Sequence, residues 1–158
     1  MIVYRWFATP LGGMLALANP QGLQGLYFEG QQYFPALDNH WQEQPLPLFQ
    51  ELEQQLQAYF AGQLRQFDLP LAPQGTAFQQ QVWQAIATIP YGHSRRYGEL
   101  AHALNKPTAS RAVGAATGRN PLSLIVPCHR VLGSQGKLTG YAGGLERKRA
   151  LLQLEGLL

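Results

Sequence analysis

The chain has 158 residues, a hydrophobic fraction of 46% and only 13% charged side chains, which suffices for one medium domain or two small ones sharing an interface. No stretch approaches the roughly 20 apolar residues of a membrane span, and Met1-Ile2-Val3-Tyr4-Arg5-Trp6 lacks the basic and apolar regions of a signal peptide, so a soluble, cytoplasmic protein without membrane contact is expected. The net charge of +3 conceals a split, −4 over residues 1–91 and +7 over residues 92–158; a basic half implies either an anionic partner, nucleic acid being the commonest, or a solvated basic face.

Residues 1–71 read as β-rich with one helix. Ile2–Thr9 and Met14–Ala18 flank the hairpin signal Pro10-Leu11-Gly12-Gly13, and Gly25–Phe28 supplies a third strand. Leu48, Leu52, Leu56 and Tyr59, with Phe49 and Phe60 beside them, repeat at helical spacing until Gly62. Phe67–Leu71 reads as a last short strand. Trp6 and Trp41 read as core or interface residues, and nothing in this half points to chemistry.

Ala72-Pro73-Gln74-Gly75 reads as a linker, dividing the chain into domains of residues 1–72 and 73–158. Thr76 and Gln79 have capping-box spacing, and Phe78, Val82, Trp83, Ile86 and Ile89 form an apolar stripe that Pro90-Tyr91-Gly92 stops. Tyr97, Leu100, Ala101 and Leu104 give a second short helix. Asn105-Lys106-Pro107 turns the chain, Thr108 is placed to cap a third helix and Gly118 to end it. Two short helices joined by a tight turn in the basic half suggest a helix-turn-helix. The third helix is built of small residues (Ala109, Ser110, Ala112, Gly114, Ala115, Ala116, Gly118), with Arg111 its one long side chain before Arg119. A glycine inside a helix costs about 1 kcal/mol relative to alanine, so either close packing or close approach to a nucleic-acid groove must offset it.

Leu124-Ile125-Val126 leads into Pro127-Cys128-His129-Arg130 and Val131-Leu132, and an apolar strand ending in Pro-Cys would hold a sulfur at the wall of a pocket. A free thiol, with a pKa of about 8.5, is mostly protonated at neutral pH; a neighbouring imidazole can take its proton directly or through a water, and a carboxylate can orient that imidazole. On their own, Cys128 and His129 fit an inert buried cysteine better, because such cysteines are common and adjacent strand residues point to opposite faces. Cys128 is the only cysteine, so no internal disulfide exists; four scattered histidines do not complete a zinc site with it, and a reducing compartment suits it.

In its setting this block resembles the O6-alkylguanine-DNA alkyltransferases, the methylated-DNA–protein-cysteine methyltransferases. The matching residues, in order, are Gly75-Thr76-Ala77-Phe78 through Val82-Trp83, Ile89-Pro90-Tyr91-Gly92, Tyr97-Gly98-Glu99-Leu100, Arg111-Ala112-Val113-Gly114 and Asn120-Pro121. Ile125 through Val131, Gly140-Tyr141-Ala142-Gly143-Gly144-Leu145 and Glu155-Gly156 complete the set. The match is dense from Gly75 to Gly156 and looser before it.

The resemblance implies an α+β fold: a small ribonuclease-H-like N-terminal domain of β-hairpin and helix, then a winged-helix-like helix-turn-helix domain. It implies that alkyl groups pass from O6-alkylguanine in duplex DNA, with O4-alkylthymine a further candidate, irreversibly to Cys128 after base flipping. His129 would reach the thiol through a water, Glu155 would fix the imidazole tautomer, Asn120 would brace the turn, and Tyr97 would give a proton to the leaving guanine and touch the backbone phosphate. Arg111 would fill the stack vacated by the base; Gln79, Lys106, Ser110 and Ser134 would contact DNA; Tyr141, Ala142 and the backbone around Val131 would line the base pocket. No cofactor or metal is implied, and a monomer is expected.

The zinc site of larger-animal members is absent, since it needs further cysteines. Ser123 stands where some members have proline and Ala142 where some have serine, which bears on the range of alkyl groups accepted. Two other readings remain: an alkyltransferase-like protein that binds lesions without repairing them, which Cys128 and residues 1–71 argue against, and a Cys–His thiol hydrolase, which leaves the basic helix-turn-helix unexplained.

Overall fold

The computed structural model describes residues 1–158. β1 (Val3–Phe7), β2 (Met14–Asn19) and β3 (Gly22–Phe28) form an antiparallel meander. A two-residue strand that the sequence does not announce, β4 (Gln42–Glu43), runs parallel to β1, giving the order β3-β2-β1-β4. The expected hairpin is present, tied by the Thr9 hydroxyl donating to the Gly12 carbonyl at 2.6 Å. Helix α1 (Pro47–Phe60) begins on a proline, whose missing N–H costs nothing in a first turn. It turns Phe49, Leu52, Leu56 and Tyr59 into a core shared with Met14, Ala16 and Ala18 of β2. Trp6 is not part of the core: it is 38% exposed and stacks on Phe34 at the surface.

The free edge of β3 is covered rather than left open. Leu23 N–H donates to the Pro70 carbonyl and Ala72 N–H to the Leu23 carbonyl, forming a single parallel bridge to Leu71. The strand expected over Phe67–Leu71 is therefore reduced to one bridge, since Pro70 has no N–H to extend a ladder. Further along the same edge, Leu26 N–H donates to the Pro121 carbonyl and Ser123 N–H to the Leu26 carbonyl. The two halves thus meet through backbone hydrogen bonds, and one continuous apolar core runs through both.

The second half contains α2 (Ala77–Ala87), α3 (Tyr97–Ala103), α4 (Ser110–Gly118) and α5 (Leu145–Leu154), with β5 (Arg95–Arg96) parallel to β6 (Val131–Leu132). The Thr76–Gln79 capping box forms in both directions, and Trp83 donates its indole N–H to the Ala116 carbonyl at 2.8 Å, locking α2 to α4. Asn105, in the left-handed region at φ 59°, turns the chain from α3 into α4 and completes the helix-turn-helix. Two cap expectations fail. Ala109, not Thr108, is the N-cap residue of α4 and makes no side-chain cap; Gly118 stays helical while Arg119 closes the end. The sequence reading assigns no element to α5. No helix is long and apolar enough to cross a membrane.

The glycines of α4 can now be assigned. A Cβ at Gly114 would come no closer than 3.9 Å to the Tyr97 ring, and one at Gly118 would meet nothing within 4 Å. Close packing therefore does not require either residue. Gly114→Ala should raise stability by about 1 kcal/mol, the helix propensity difference, which corresponds to a rise in Tm of about 2–4 °C for a chain of this size. Thermal unfolding of the variant checks this, and a fall in Tm would restore the packing explanation.

Candidate functional site

Cys128 does not end a strand. The segment after α4 is a compact turn in which the buried Asn120 supplies the hydrogen bonds: its amide donates to the carbonyls of Val126 at 2.9 Å and Leu122 at 3.4 Å, and its oxygen accepts from Leu122 N–H at 3.0 Å. Leu124 is held at φ 72°, a conformation costly for a residue with a Cβ, so Asn120 and the bridge to β3 together fix a turn the chain would not choose alone. Cys128–Arg130 then form one 3-10 turn. This turn holds His129 in the core while the sulfur reaches a cavity.

Behind the thiol is a buried polar cluster. His129 Nε2 lies 2.7 Å from Glu155 Oε2; Arg130 donates Nε–H to Oε1 at 2.7 Å and a second N–H to Oε2 at 3.1 Å; the Tyr59 hydroxyl donates to Oε2 at 2.6 Å. The Glu155 side chain has no exposed surface. Burial alone would raise its pKa, but the hydrogen bonds from His129, Arg130 and Tyr59 reverse that and hold it at about 2. Glu155 is therefore ionised and can only accept, so His129 Nε2 carries the proton and Nδ1 presents its lone pair. Nδ1 is buried and has no hydrogen-bond partner in the protein. Burial also lowers the pKa of His129, against the pull of Glu155, so the imidazole rests neutral.

Burial raises the pKa of the Cys128 thiol, opposed by a hydrogen bond from Asn120, the charge of Lys148 and the Tyr141 hydroxyl. The resting state is a thiol beside a neutral imidazole, with groups in place to favour the thiolate. Lys148, on α5, is fully buried and donates to the carbonyls of Val131 at 2.6 Å and Thr139 at 3.2 Å. Burial lowers its pKa to about 8, the Cys128 charge pulling the other way.

The sulfur opens onto a cavity of about 460 Å³. Of the residues singled out in the sequence, Cys128, Tyr97, Tyr141 and Ala142 line it, together with Gly114 and Gly118 of α4. Val131 itself is fully buried with its carbonyl engaged by Lys148, while the backbone after it reaches the cavity at Gly133. Arg111, Lys106 and Ser134 are exposed, Ser110 is half-buried at the start of α4, and the Gln79 side-chain oxygen is committed to the α2 cap.

Three groups escape a reading of the sequence. Tyr59 belongs to the apolar stripe of α1 and shows no local sign of a distant carboxylate. Gln32 and Tyr33, also from the half in which no chemistry is expected, line the cavity. Lys148 is detectable in principle, since with Leu151, Leu152 and Glu155 it falls on one helical face, where a charge needs a buried partner.

Two family models match the chain: 6-O-methylguanine DNA methyltransferase, ribonuclease-like domain, over residues 2–73, and 6-O-methylguanine DNA methyltransferase, DNA binding domain, over residues 77–157. A methylated-DNA–protein-cysteine methyltransferase of Methanosarcina acetivorans is 50% identical over 154 residues, 97% of each chain. One from Haemophilus influenzae is 47% identical over 155 residues, 98% of this chain and 86% of the relative. The crystal structure of Mycobacterium tuberculosis O6-methylguanine methyltransferase superposes with a TM-score of 0.89 at 50% identity, covering 98% of this chain and 93% of the other. The M. tuberculosis protein solved in complex with DNA gives 0.89 at 48% identity, covering 97% and 92%.

The Glu155 cluster has a pH signature. The carboxyl sits at about 2 in the folded chain and at roughly 4.3 in an unfolded one. A depressed carboxyl contributes stability that is complete above the unfolded value and is lost as pH falls through the folded one. The wild type should lose on the order of 3 kcal/mol between about pH 5 and pH 2 that Glu155→Gln does not lose. Urea unfolding across that range should show the gap between the two proteins, wide at pH 7, closing toward pH 2. A gap constant with pH would mean that the carboxylate charge does not hold the cluster together.

Proposed function

The chain belongs to the 6-O-methylguanine DNA methyltransferase family, and we propose that it repairs duplex DNA by moving the alkyl group from O6 of a damaged guanine to Sγ of Cys128. The carrying observation is the placement of its only cysteine on a cavity wall, beside a histidine whose tautomer is set by an ionised carboxylate. In this reading the thiol proton passes to His129 Nδ1, directly or through a water, and the imidazolium formed is stabilised by Glu155. The thiolate attacks the alkyl carbon; a sulfur–carbon bond forms, the carbon–O6 bond breaks, and its electron pair stays with the guanine. Tyr97, on the same cavity, returns a proton to the departing base. The product is a thioether, which no group at the site can hydrolyse, so each molecule acts once.

Extrusion of the base costs a few kcal/mol, less where pairing is already damaged. The outer face of α4, with Arg111, Ala112 and Ala115 exposed and the half-buried glycines beside them, suits close approach to a groove. Arg111 is the one long side chain there, able to occupy the vacated stack, while Tyr97, the exposed Lys106 and Ser134 and the half-buried Ser110 hold the strand, with Gln79 as a further contact. Residues 1–72 act as the buttress and residues 73–158 as the DNA-binding and acceptor part. A free thiol as the reacting group fits a cytoplasmic location and a monomer that needs no cofactor.

Two outcomes test this. Mixed with excess O6-methylguanine duplex, the protein should gain a single methyl mass on the Cys128 peptide, and Cys128→Ala should gain none while still binding DNA; sustained turnover on an ester or amide would instead reveal a hydrolase. Arg111→Ala should react with free O6-benzylguanine at nearly the wild-type rate, yet repair the duplex lesion more slowly by an amount on the order of the unstacking cost. Lys106→Ala should instead weaken binding to all DNA and flatten its salt dependence. Equal slowing of free base and duplex by Arg111→Ala would assign that side chain to the fold.

A further inference from the structure

The wall of the Cys128 cavity is not confined to the DNA-binding half. The chain between β3 and β4 crosses to it and is fixed there: Gln32 N–H donates to the carbonyl of Ala142, itself a wall residue, at 2.9 Å. The neighbouring Gln31 is buried, its side-chain oxygen accepting from Phe28 N–H at 2.8 Å and from the Ser123 hydroxyl at 3.4 Å. The next residue, Tyr33, is held at φ 63°, in the left-handed region that a tyrosine disfavours. Core burial does not explain this conformation, because Tyr33 is 47% exposed. The Arg119 guanidinium lies over its ring, 3.8 Å from the centroid. Arg119 directly follows α4 and precedes Asn120, the residue that braces the Cys128 turn.

We infer that Tyr33, clamped by Arg119, is a specificity-determining residue that limits the size of the O6 substituent the cavity accepts. The inference rests on the alkyl-transfer reading of the site. Apart from the three tyrosines the wall is mostly glycine and alanine, so its capacity is set by Tyr33, Tyr97 and Tyr141. Tyr141 has its hydroxyl buried, and Tyr97 is fixed at the start of α3. Of the three, Tyr33 is the exposed one, and it sits on a strained backbone, gripped by a cation from the other half of the molecule. Strain maintained at a site without a core to pack suggests a role for the side chain it aims.

The test compares single-turnover rates on O6-methylguanine and O6-benzylguanine, each in the same duplex, with free O6-benzylguanine as a third substrate. Tyr33→Ala should raise the benzyl-to-methyl ratio by about tenfold, in the range that one misfit in an apolar pocket produces. Tyr33→Gly, which removes the ring and suits the left-handed backbone, should do the same, so a folding defect of the alanine variant cannot mask the result. Arg119→Gln should raise the ratio by less, and Tyr33→Phe, which keeps ring and clamp, should leave it unchanged. A ratio unchanged or lowered in both Tyr33→Ala and Tyr33→Gly overturns the inference. So does an equal loss on both duplexes with free benzylguanine unaffected, which would make Tyr33 a DNA contact. Absence of any methyl on Cys128 of the wild type would overturn the alkyl-transfer reading itself.

Discussion

A buried carboxylate is costly unless its lone pairs are filled and its charge is matched, and Glu155 meets both conditions only when three distant parts of the chain converge. Arg130 balances the charge, His129 takes one lone pair and Tyr59 another. Each donor is thereby fixed in turn. His129 is confined to one tautomer, Arg130 spans from Glu155 to the Ile89 carbonyl after α2, and α1 is anchored against α5 through Tyr59. The placement of His129 thus depends, through Glu155, on a hydroxyl from the sheet-bearing half. That half therefore supports the polar cluster behind Cys128.

The same dependence runs along the backbone. The turn of residues 120–127 includes a leucine in the left-handed region, and its shape is sustained by the Asn120 amide on one side and the edge of β3 on the other. Lys148 makes the corresponding brace beyond the nucleophile, joining β6 to the wall segment at Thr139. Burying an ammonium to hold two carbonyls is expensive, as its lowered pKa records. The arrangement also places a positive charge near the sulfur, where it favours the thiolate. Rigidity and electrostatics are supplied by one side chain.

What could be read in the sequence followed the range of the forces involved. The capping box at Thr76, the stripe of α2 and the hairpin near Gly12 are set by neighbours within a few residues, and all are present. Thr108 failed as a cap because the tight turn between α3 and α4 advances the helix start to Ser110, with Ala109 at the N-cap. The Leu124–Val126 run has the composition of a strand, yet Asn120 turns it into a loop by hydrogen bonds no local pattern encodes. Cys128, His129 and Glu155 are recognisable through the resemblance; the geometry joins His129 to Glu155 and opens Cys128 to the cavity. Tyr59 and Tyr33 are not, because their partners, Glu155 and Arg119, lie in the other half of the chain.

The small residues of this chain divide into two kinds, and the division separates structure from recognition. At Gly133 a Cβ would meet Thr139 at 2.5 Å, and at Gly143 it would meet the Tyr141 ring at 2.6 Å; these glycines allow the cavity wall to fold against itself. At Gly114 a Cβ would make only ordinary contact with the Tyr97 ring at 3.9 Å and at Gly118 the space is open, so a helix former would be tolerated sterically at both. A helix that forgoes about 1 kcal/mol at an unhindered interior position gains nothing from its own fold by doing so. The compensation must come from something that approaches the helix from outside. Since the same residues border the cavity that holds Cys128, the approaching surface and the reacting group belong to one ligand, and a base still joined to its duplex satisfies both.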